Sequence, residues 1–213
     1  METPKNPTSI NHRIREGLSR VAVAMRSDEW VRAKGAGVNP TQWSILEALE
    51  GREAGMGVKE IATYLAVSQP TATDSINALE RKALVVKRTG LDKRAVAVCL
   101  TDQGRRVLTS STTVDISAEQ AVDILAEHEQ EELLVSLVKM IRHLQDIDAI
   151  PIQRMCATCR YFAPFKHADS AKPHHCNFVN SAFGQRDIRI DCREHETADP
   201  ALRAATWDAF QRG

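Results

Sequence analysis

Apolar residues recur along most of this chain at helical spacing. From Ile10 to about Ala33, the positions Ile14, Leu18, Val21 and Met25 share one face and predict a first helix. Gly35, Gly37 and Pro40 mark a loop. Thr41 is read as the cap of a second helix with Trp43, Ile45, Leu46 and Leu49 facing inward, ending near Gly51. Ile61, Leu65 and Val67 give a short third helix an apolar face. After a turn, Ala72, Ile76, Leu79 and Ala83 keep the i, i+4, i+7 rhythm, with Ser68 as N-cap and Pro70 in the first turn. The pattern then changes to Val85 and Val86, followed by Val96, Val98 and Leu100 alternating with smaller residues, which predicts two β-strands. Their tip carries Asp92, Lys93 and Arg94. Helical spacing resumes after Gly104 and runs to about Ile150, through Val122, Leu125, Leu133, Leu134, Leu137, Val138, Ile141 and Leu144. Breaks are expected around 109–118 and near His128.

Two short helices followed by a hairpin make a winged helix-turn-helix, an architecture that reads DNA. The expected fold is therefore mainly α with a small β-hairpin wing and long dimerisation helices, followed by a small loop-rich cysteine module. The predicted division is a disordered stretch over 1–9, a DNA-binding and dimerisation domain over 10–150, a four-cysteine module over 151–196 and a C-terminal helix over 197–213. Leu202, Trp207 and Phe210 are read as that helix's anchors, and Asp199-Pro200 starts it.

The run Asp92-Lys93-Arg94, five small or apolar residues, then Leu100-Thr101-Asp102-Gln103-Gly104 resembles the wing signature of the MarR family of bacterial transcriptional regulators. The resemblance covers about residues 10–148. Lys93 stands where that family more often has arginine. The resemblance implies a homodimer built from the first and last helices of two subunits, on a pseudo-palindromic double-stranded DNA operator with half-sites about one helical turn apart. It also allows a small aromatic effector.

Residue types place the DNA contacts. A recognition helix shows polar side chains to base edges while its other face packs inward. Ser68, Gln69, Thr71, Thr73 and Asn77 supply that outer face, with Gln69, Thr71 and Thr73 the base-edge candidates because N-terminal residues of such helices reach the bases. Asp74 is awkward beside phosphates and is read as a cap or arginine partner. Lys87, Arg88, Lys93 and Arg94 are the expected phosphate or groove contacts, with Arg94 entering the minor groove and Asp92 orienting it. Residues 68–94 hold Arg81, Lys82, Lys87, Arg88, Lys93 and Arg94 against Asp74, Glu80 and Asp92, net +3. Residues 115–148 carry nine acids against Lys139 and Arg142, net −7, and should face away from DNA.

Composition narrows the class. The chain has 213 residues, 43% hydrophobic, with formal net charge zero, so any nucleic-acid footprint is local. No apolar run approaches the ~18 residues a membrane span needs, and no secretory leader pattern opens the sequence. A cytoplasmic protein without membrane contact is expected. Its cysteines are then ligands or free thiols rather than disulfides.

Four of the five cysteines lie beyond Pro151, at Cys156, Cys159, Cys176 and Cys192, spaced C-x2-C-x16-C-x15-C. A C-x-x-C pair can turn two thiolates onto one centre and two distant thiolates can close the set. All four are read as metal and cofactor ligands. Zinc is one occupant, although zinc ribbons bring a second C-x-x-C that is absent here. The run C-x-x-C-x-aromatic, then C-x-aromatic, then a last cysteine is similar to high-potential iron–sulfur proteins. That resemblance implies an iron–sulfur cluster of the 4Fe-4S type, with Tyr161, Phe162, Phe165, Phe178 and Phe183 walling it from water. Where those proteins have a Gly–aromatic pair before the last cysteine, this chain has Ile190-Asp191. His174, His175 and His195 sit beside ligand cysteines and are read as outer partners of the sulfurs rather than ligands; His167 is assigned to a loop. Cys99 on the wing strand is read as packing.

The expected function is a sequence-specific DNA-binding regulator whose metal centre senses redox or metal state. Two alternatives stand beside it: a repressor answering a small aromatic ligand with a purely structural zinc site, and a redox protein or electron carrier. No Ser/His/Asp set, phosphate loop or dinucleotide fingerprint is present, so no enzyme is expected.

Overall fold

The computed structural model describes residues 9–89, 96–110 and 117–213. The chain divides into two compact units, Met1–Ile124 and Leu125–Gly213.

The first unit opens with α1 (Ile10–Gly35), capped by Ser9, whose hydroxyl accepts the His12 N–H at 3.3 Å. Helix α2 (Pro40–Leu49) starts two positions earlier than the sequence predicts. Asn39, not Thr41, is the cap: its Oδ1 accepts the Gln42 N–H at 2.8 Å, while Gln42 Oε1 accepts the Asn39 N–H at 3.4 Å. Pro40 then occupies the first helical position, where its missing N–H leaves nothing unsatisfied. After β1 (Met56–Gly57), helices α3 (Val58–Tyr64) and α4 (Gln69–Arg81) form the helix-turn-helix. Leu65 and Val67 follow the end of α3 rather than lying within it. Ala83, expected on the inner face of α4, lies past its end with φ +56° and is exposed.

Strands β2 (Val85–Thr89) and β3 (Val96–Leu100) pair antiparallel from Val85↔Leu100 to Thr89↔Val96. The wing is a three-stranded sheet, not two strands: β1 takes the other edge of β3 through Met56↔Val98. Gly55 permits this approach, because a Cβ there would stand 2.4 Å from the Val98 carbonyl oxygen. Helices α5 (Asp102–Ser110) and α6 (Ser117–Asp123) complete the unit. The core is Trp43, Ile45, Leu46 and Leu49 of α2 packed on Ile61, Ala72, Ile76, Leu79, Val98 and Leu100. Each large side chain so buried contributes about 1.5–3 kcal/mol. Trp43 is core, as the sequence predicts. The apolar stripe of α1 is not covered: Ile14, Leu18, Val21 and Met25 are 38–56% exposed.

The second unit begins with α7 (Glu127–Asp146). A 3-10 turn at Cys156–Thr158 leads into an antiparallel sheet, β4 (Phe162–Ala163), β5 (His174–Cys176) and β6 (Ser181–Phe183), in the order β4-β5-β6. A second 3-10 turn, Gln185–Asp187, precedes α8 (Pro200–Arg212). The contact division thus groups α7 with the cysteine segment. Val138 of α7 shares one core with Met155, Phe162, Ile188 and Phe210, so α7, the cysteine segment and α8 fold as one body. Nor is the cysteine segment only loops, since Phe162↔Cys176 and Cys176↔Ser181 put a ligand candidate in the middle of a sheet. Trp207 and Phe210 anchor α8, whereas Leu202 is 41% exposed. Among the described residues, no helix is long and apolar enough to cross a membrane.

Candidate nucleic-acid interface and candidate metal centre

Helix α4 buries Ala72, Ser75, Ile76 and Leu79 and turns its N-terminal polar residues outward. Ser68 caps it, accepting the Thr71 N–H at 3.2 Å, and the two hydroxyls lie 2.7 Å apart. The Thr73 hydroxyl donates back to the Gln69 carbonyl at 2.8 Å. Ser68, Gln69, Thr71 and Asp74 are exposed, with Thr73 half-buried. The Gln69 amide thus stands at the outer end of the helix.

The expected cations divide. Lys87 Nζ donates to Asn77 Oδ1 at 2.6 Å and to Glu80 Oε2 at 2.8 Å, fastening β2 to the C-terminal half of α4. This bond holds the Glu80 carboxyl below its ordinary value. Lys82 caps the structure at Gly37, donating to its carbonyl at 2.6 Å. Arg88 is exposed on β2. Asp92, Lys93 and Arg94 lie outside the described residues.

The four C-terminal cysteines come from separate segments and line one cavity of about 420 Å³. Cys156 opens the first 3-10 turn, and the Cys159 N–H donates to its carbonyl at 2.9 Å, which folds the C-x-x-C into a hook. Cys176 ends β5. Cys192 arrives through a lacing of two strands of chain: its N–H donates to the Arg154 carbonyl at 2.8 Å, and the Cys156 N–H to the Arg189 carbonyl at 2.9 Å. The buried Arg154 forks onto Asp191 at 2.5 and 2.7 Å beside that lacing. All five cysteines of the protein are free thiols.

Tyr161, Phe162, Phe178 and Phe183 wall the cavity, as the sequence predicts; Phe165 does not. It packs on His174 and Phe210 instead, at 4.8 and 6.2 Å between ring centres. Burial pushes the Cys156 thiol up to about 11, opposed by the Arg189 main-chain N–H that donates to its sulfur at 3.3 Å. Burial raises Cys159 as well. A cation in the cavity reverses this preference, because a coordinating thiol gives up its proton. Among the described residues, no three His, Cys, Asp or Glu groups converge closely enough to hold a single metal ion. A tetrahedral zinc with bonds of about 2.3 Å needs sulfurs about 3.8 Å apart.

None of the neighbouring histidines lines the cavity. His174 is fully buried among Phe162, Phe165, Phe183 and Phe210, its Nδ1 accepting the Phe165 N–H at 3.3 Å. That bond selects the neutral ring, and burial lowers its proton affinity. His175 Nδ1 meets His167 Nε2 at 3.1 Å, and His195 Nε2 meets Thr158 Oγ1 at 3.0 Å. Sequence reading missed the cavity's polar lining, Asp187, Arg189 and Glu194. Only their nearness to Cys192 in the chain hinted at it. Cys99 is buried on β3, more deeply than alternation implies.

Comparison with known proteins bears on the first unit. The MarR family model matches residues 36–95. YwoH of Bacillus subtilis, an uncharacterized HTH-type transcriptional regulator, is 42% identical over 71 residues, covering 33% of this chain and 50% of that protein. The chain thus spans about half the length of the curated relative it matches. A MarR transcriptional regulator from Methanosarcina mazei has TM-score 0.55 at 20% identity, covering 64% of this chain and 99% of its own. Staphylococcus aureus MepR, in a complex with DNA, has TM-score 0.52 at 23% identity, over 64% and 97%. The Bacillus and Methanosarcina proteins are both named as transcriptional regulators. Residues 36–95 thus match the model of the MarR family, and the described part of that span carries the helix-turn-helix.

Proposed function

We propose that this chain is a homodimeric, sequence-specific DNA-binding transcriptional regulator of the cytoplasm, whose four-cysteine cavity holds an iron–sulfur cluster that senses redox or metal state. The DNA-reading part is supported by the outward Ser68, Gln69 and Thr71 at the start of α4 and by the wing beside it. The solved MepR–DNA complex supplies a precedent in a protein of the same fold. A dimer is supported by the uncovered apolar stripe of α1, which is a contiguous face rather than scattered residues. Two copies related by a two-fold axis engage a pseudo-palindromic operator.

One observation carries the metal reading: thiols from positions 156, 159, 176 and 192 line a single cavity. The donor set fits iron–sulfur chemistry, being four sulfurs in an aromatic-walled cavity with a main-chain N–H donating to Cys156 Sγ. Single cysteines after long loops, with no second C-x-x-C, suit a cluster of several irons better than a zinc ribbon. A bound cluster supplies one-electron exchange and sensitivity to oxidants. The protein's own part is to hold the four thiolates, exclude water with Phe162 and Phe183, and join the site to α7 through the shared core of Val138, Met155 and Ile188. Loss of the centre loosens that core and shifts the population of dimer geometries that fit the operator.

The test is anaerobic purification followed by visible spectroscopy, iron and sulfide analysis, and binding to DNA selected from a random pool. A brown protein with a broad band at about 400 nm is expected, with operator affinity that changes when the cluster is removed. A colourless protein with stoichiometric zinc would overturn the cluster, and unchanged affinity would overturn sensing. Failure to enrich any sequence would overturn the regulator.

A further inference from the structure

We infer that Arg189 is the positioning residue that sets how much negative charge the four-sulfur centre holds, with Glu194 acting against it. This rests on the iron–sulfur reading of the cavity. Arg189 meets the site at three points. Its main-chain N–H donates to Cys156 Sγ at 3.3 Å, and its carbonyl accepts the Cys156 N–H at 2.9 Å. Its guanidinium donates to Cys192 Sγ at 3.5 Å and to Glu194 Oε2 at 3.3 Å. Glu194 in turn stands 3.4 Å from Cys192 Sγ. Among the described residues, Arg189 is the one cationic side chain lining the cavity. The remaining carboxylate there, Asp187, accepts the Gly184 N–H at 3.0 Å and so has a local duty.

The physical consequence follows from sulfur chemistry. Hydrogen bonds and positive charge at a ligating sulfur favour the reduced centre, which carries one more negative charge. A carboxylate beside the same sulfur opposes reduction. Cys192 receives one influence of each kind, from two side chains that also bond each other. Both are partly exposed, at 57% and 40%, so their fields act through water and weaken with salt. The exchange is one electron, taken from or given to an external one-electron reagent. No bond forms or breaks, and Arg189, already charged, moves no proton.

The experiment compares full-length wild type with Arg189→Gln, Arg189→Lys and Glu194→Gln, each purified anaerobically and assayed for iron. The midpoint potential is then read by optical titration with dithionite and ferricyanide through mediators, at low and high salt. Arg189→Gln should move the midpoint to more negative potential and Glu194→Gln to more positive. Arg189→Lys should fall between wild type and Arg189→Gln. The Arg189→Gln shift should shrink at high salt. A midpoint unmoved by Arg189→Gln at full iron content, or shifts of the same sign for Arg189→Gln and Glu194→Gln, would overturn the inference while leaving the cluster. If Arg189→Gln loses iron, Glu194→Gln and Arg189→Lys decide: an unmoved Glu194→Gln midpoint overturns it. Wild type without iron would overturn the cluster reading itself, seen before any titration begins.

Discussion

The guanidinium of Arg154 and the carboxylate of Asp191 form a two-pronged ion pair at 2.5 and 2.7 Å, directly over the crossing of the segments that deliver Cys156 and Cys192. Arg154 is buried and Asp191 is mostly exposed, so the pair has one dry partner and one wet one.

Replacing that wet partner separates charge from shape. Asp191→Asn should destabilise the C-terminal unit by about 1–2 kcal/mol, after allowing for solvent screening of an exposed carboxylate. Iron retention under chelator challenge should fall with it. Chemical denaturation followed by circular dichroism, with iron analysis alongside, checks both.

Gln69 and Lys87 should behave as different kinds of residue. Gln69→Ala leaves the fold intact and should lower affinity for the selected operator by about 1–3 kcal/mol, roughly 5- to 150-fold, with non-specific binding unchanged. Lys87→Met should instead lower the thermal midpoint of the winged-helix unit, because it unties Asn77 and Glu80 from β2. The pH dependence gives the sign. Glu80's folded proton affinity is depressed by Lys87, so its stabilising effect is fully present above the ordinary carboxylate value of 4.5 and is lost below it, as pH falls through the lower folded value. Lys87→Met should flatten that acid limb in a pH series of thermal melts.

Leu18→Asp puts a charge in the uncovered stripe of α1 without entering the monomer's core. Sedimentation equilibrium should show the proposed dimer weakened or abolished. Operator affinity should fall with it, since a monomer engages one half-site. An intact dimer would locate the subunit contact elsewhere.

Gly104→Ala tests a close approach. A Cβ at that position would lie 2.2 Å from the Leu84 carbonyl oxygen, which is main chain and cannot swing aside. The expected loss is about 1–3 kcal/mol, read from urea unfolding. The same contact gives a physical reason for the glycine that closes the wing signature.

The winged helix was legible because its periodicities are local: the 3.6-residue rhythm of Ala72, Ile76 and Leu79, then the alternation through Val98 and Leu100. Strand β1 was not, since Met56-Gly57 is two residues long and gains its partner from a distant β3. The cap of α2 was misplaced by two residues because Asn39 and Thr41 flank a proline and either chemistry serves a helix start. The bonds from Lys87 to Asn77 and Glu80 were not legible, because sequence alone does not reveal that the two lie within its reach. In the C-terminal unit the cysteines announced themselves, but the sheet around Cys176 spans strands of two or three residues, too short to leave an alternation. The union of α7 with that sheet depends on Val138 meeting Ile188 and Phe210, contacts that no local pattern records.

Two main-chain hydrogen bonds and the Arg154–Asp191 ion pair hold residues 154–156 against 189–192. Cys156 and Cys192 are thus brought together by the protein's own contacts. On the iron–sulfur reading, chains synthesised during iron scarcity would stand part-assembled, and resupply would convert the existing pool without waiting for new synthesis.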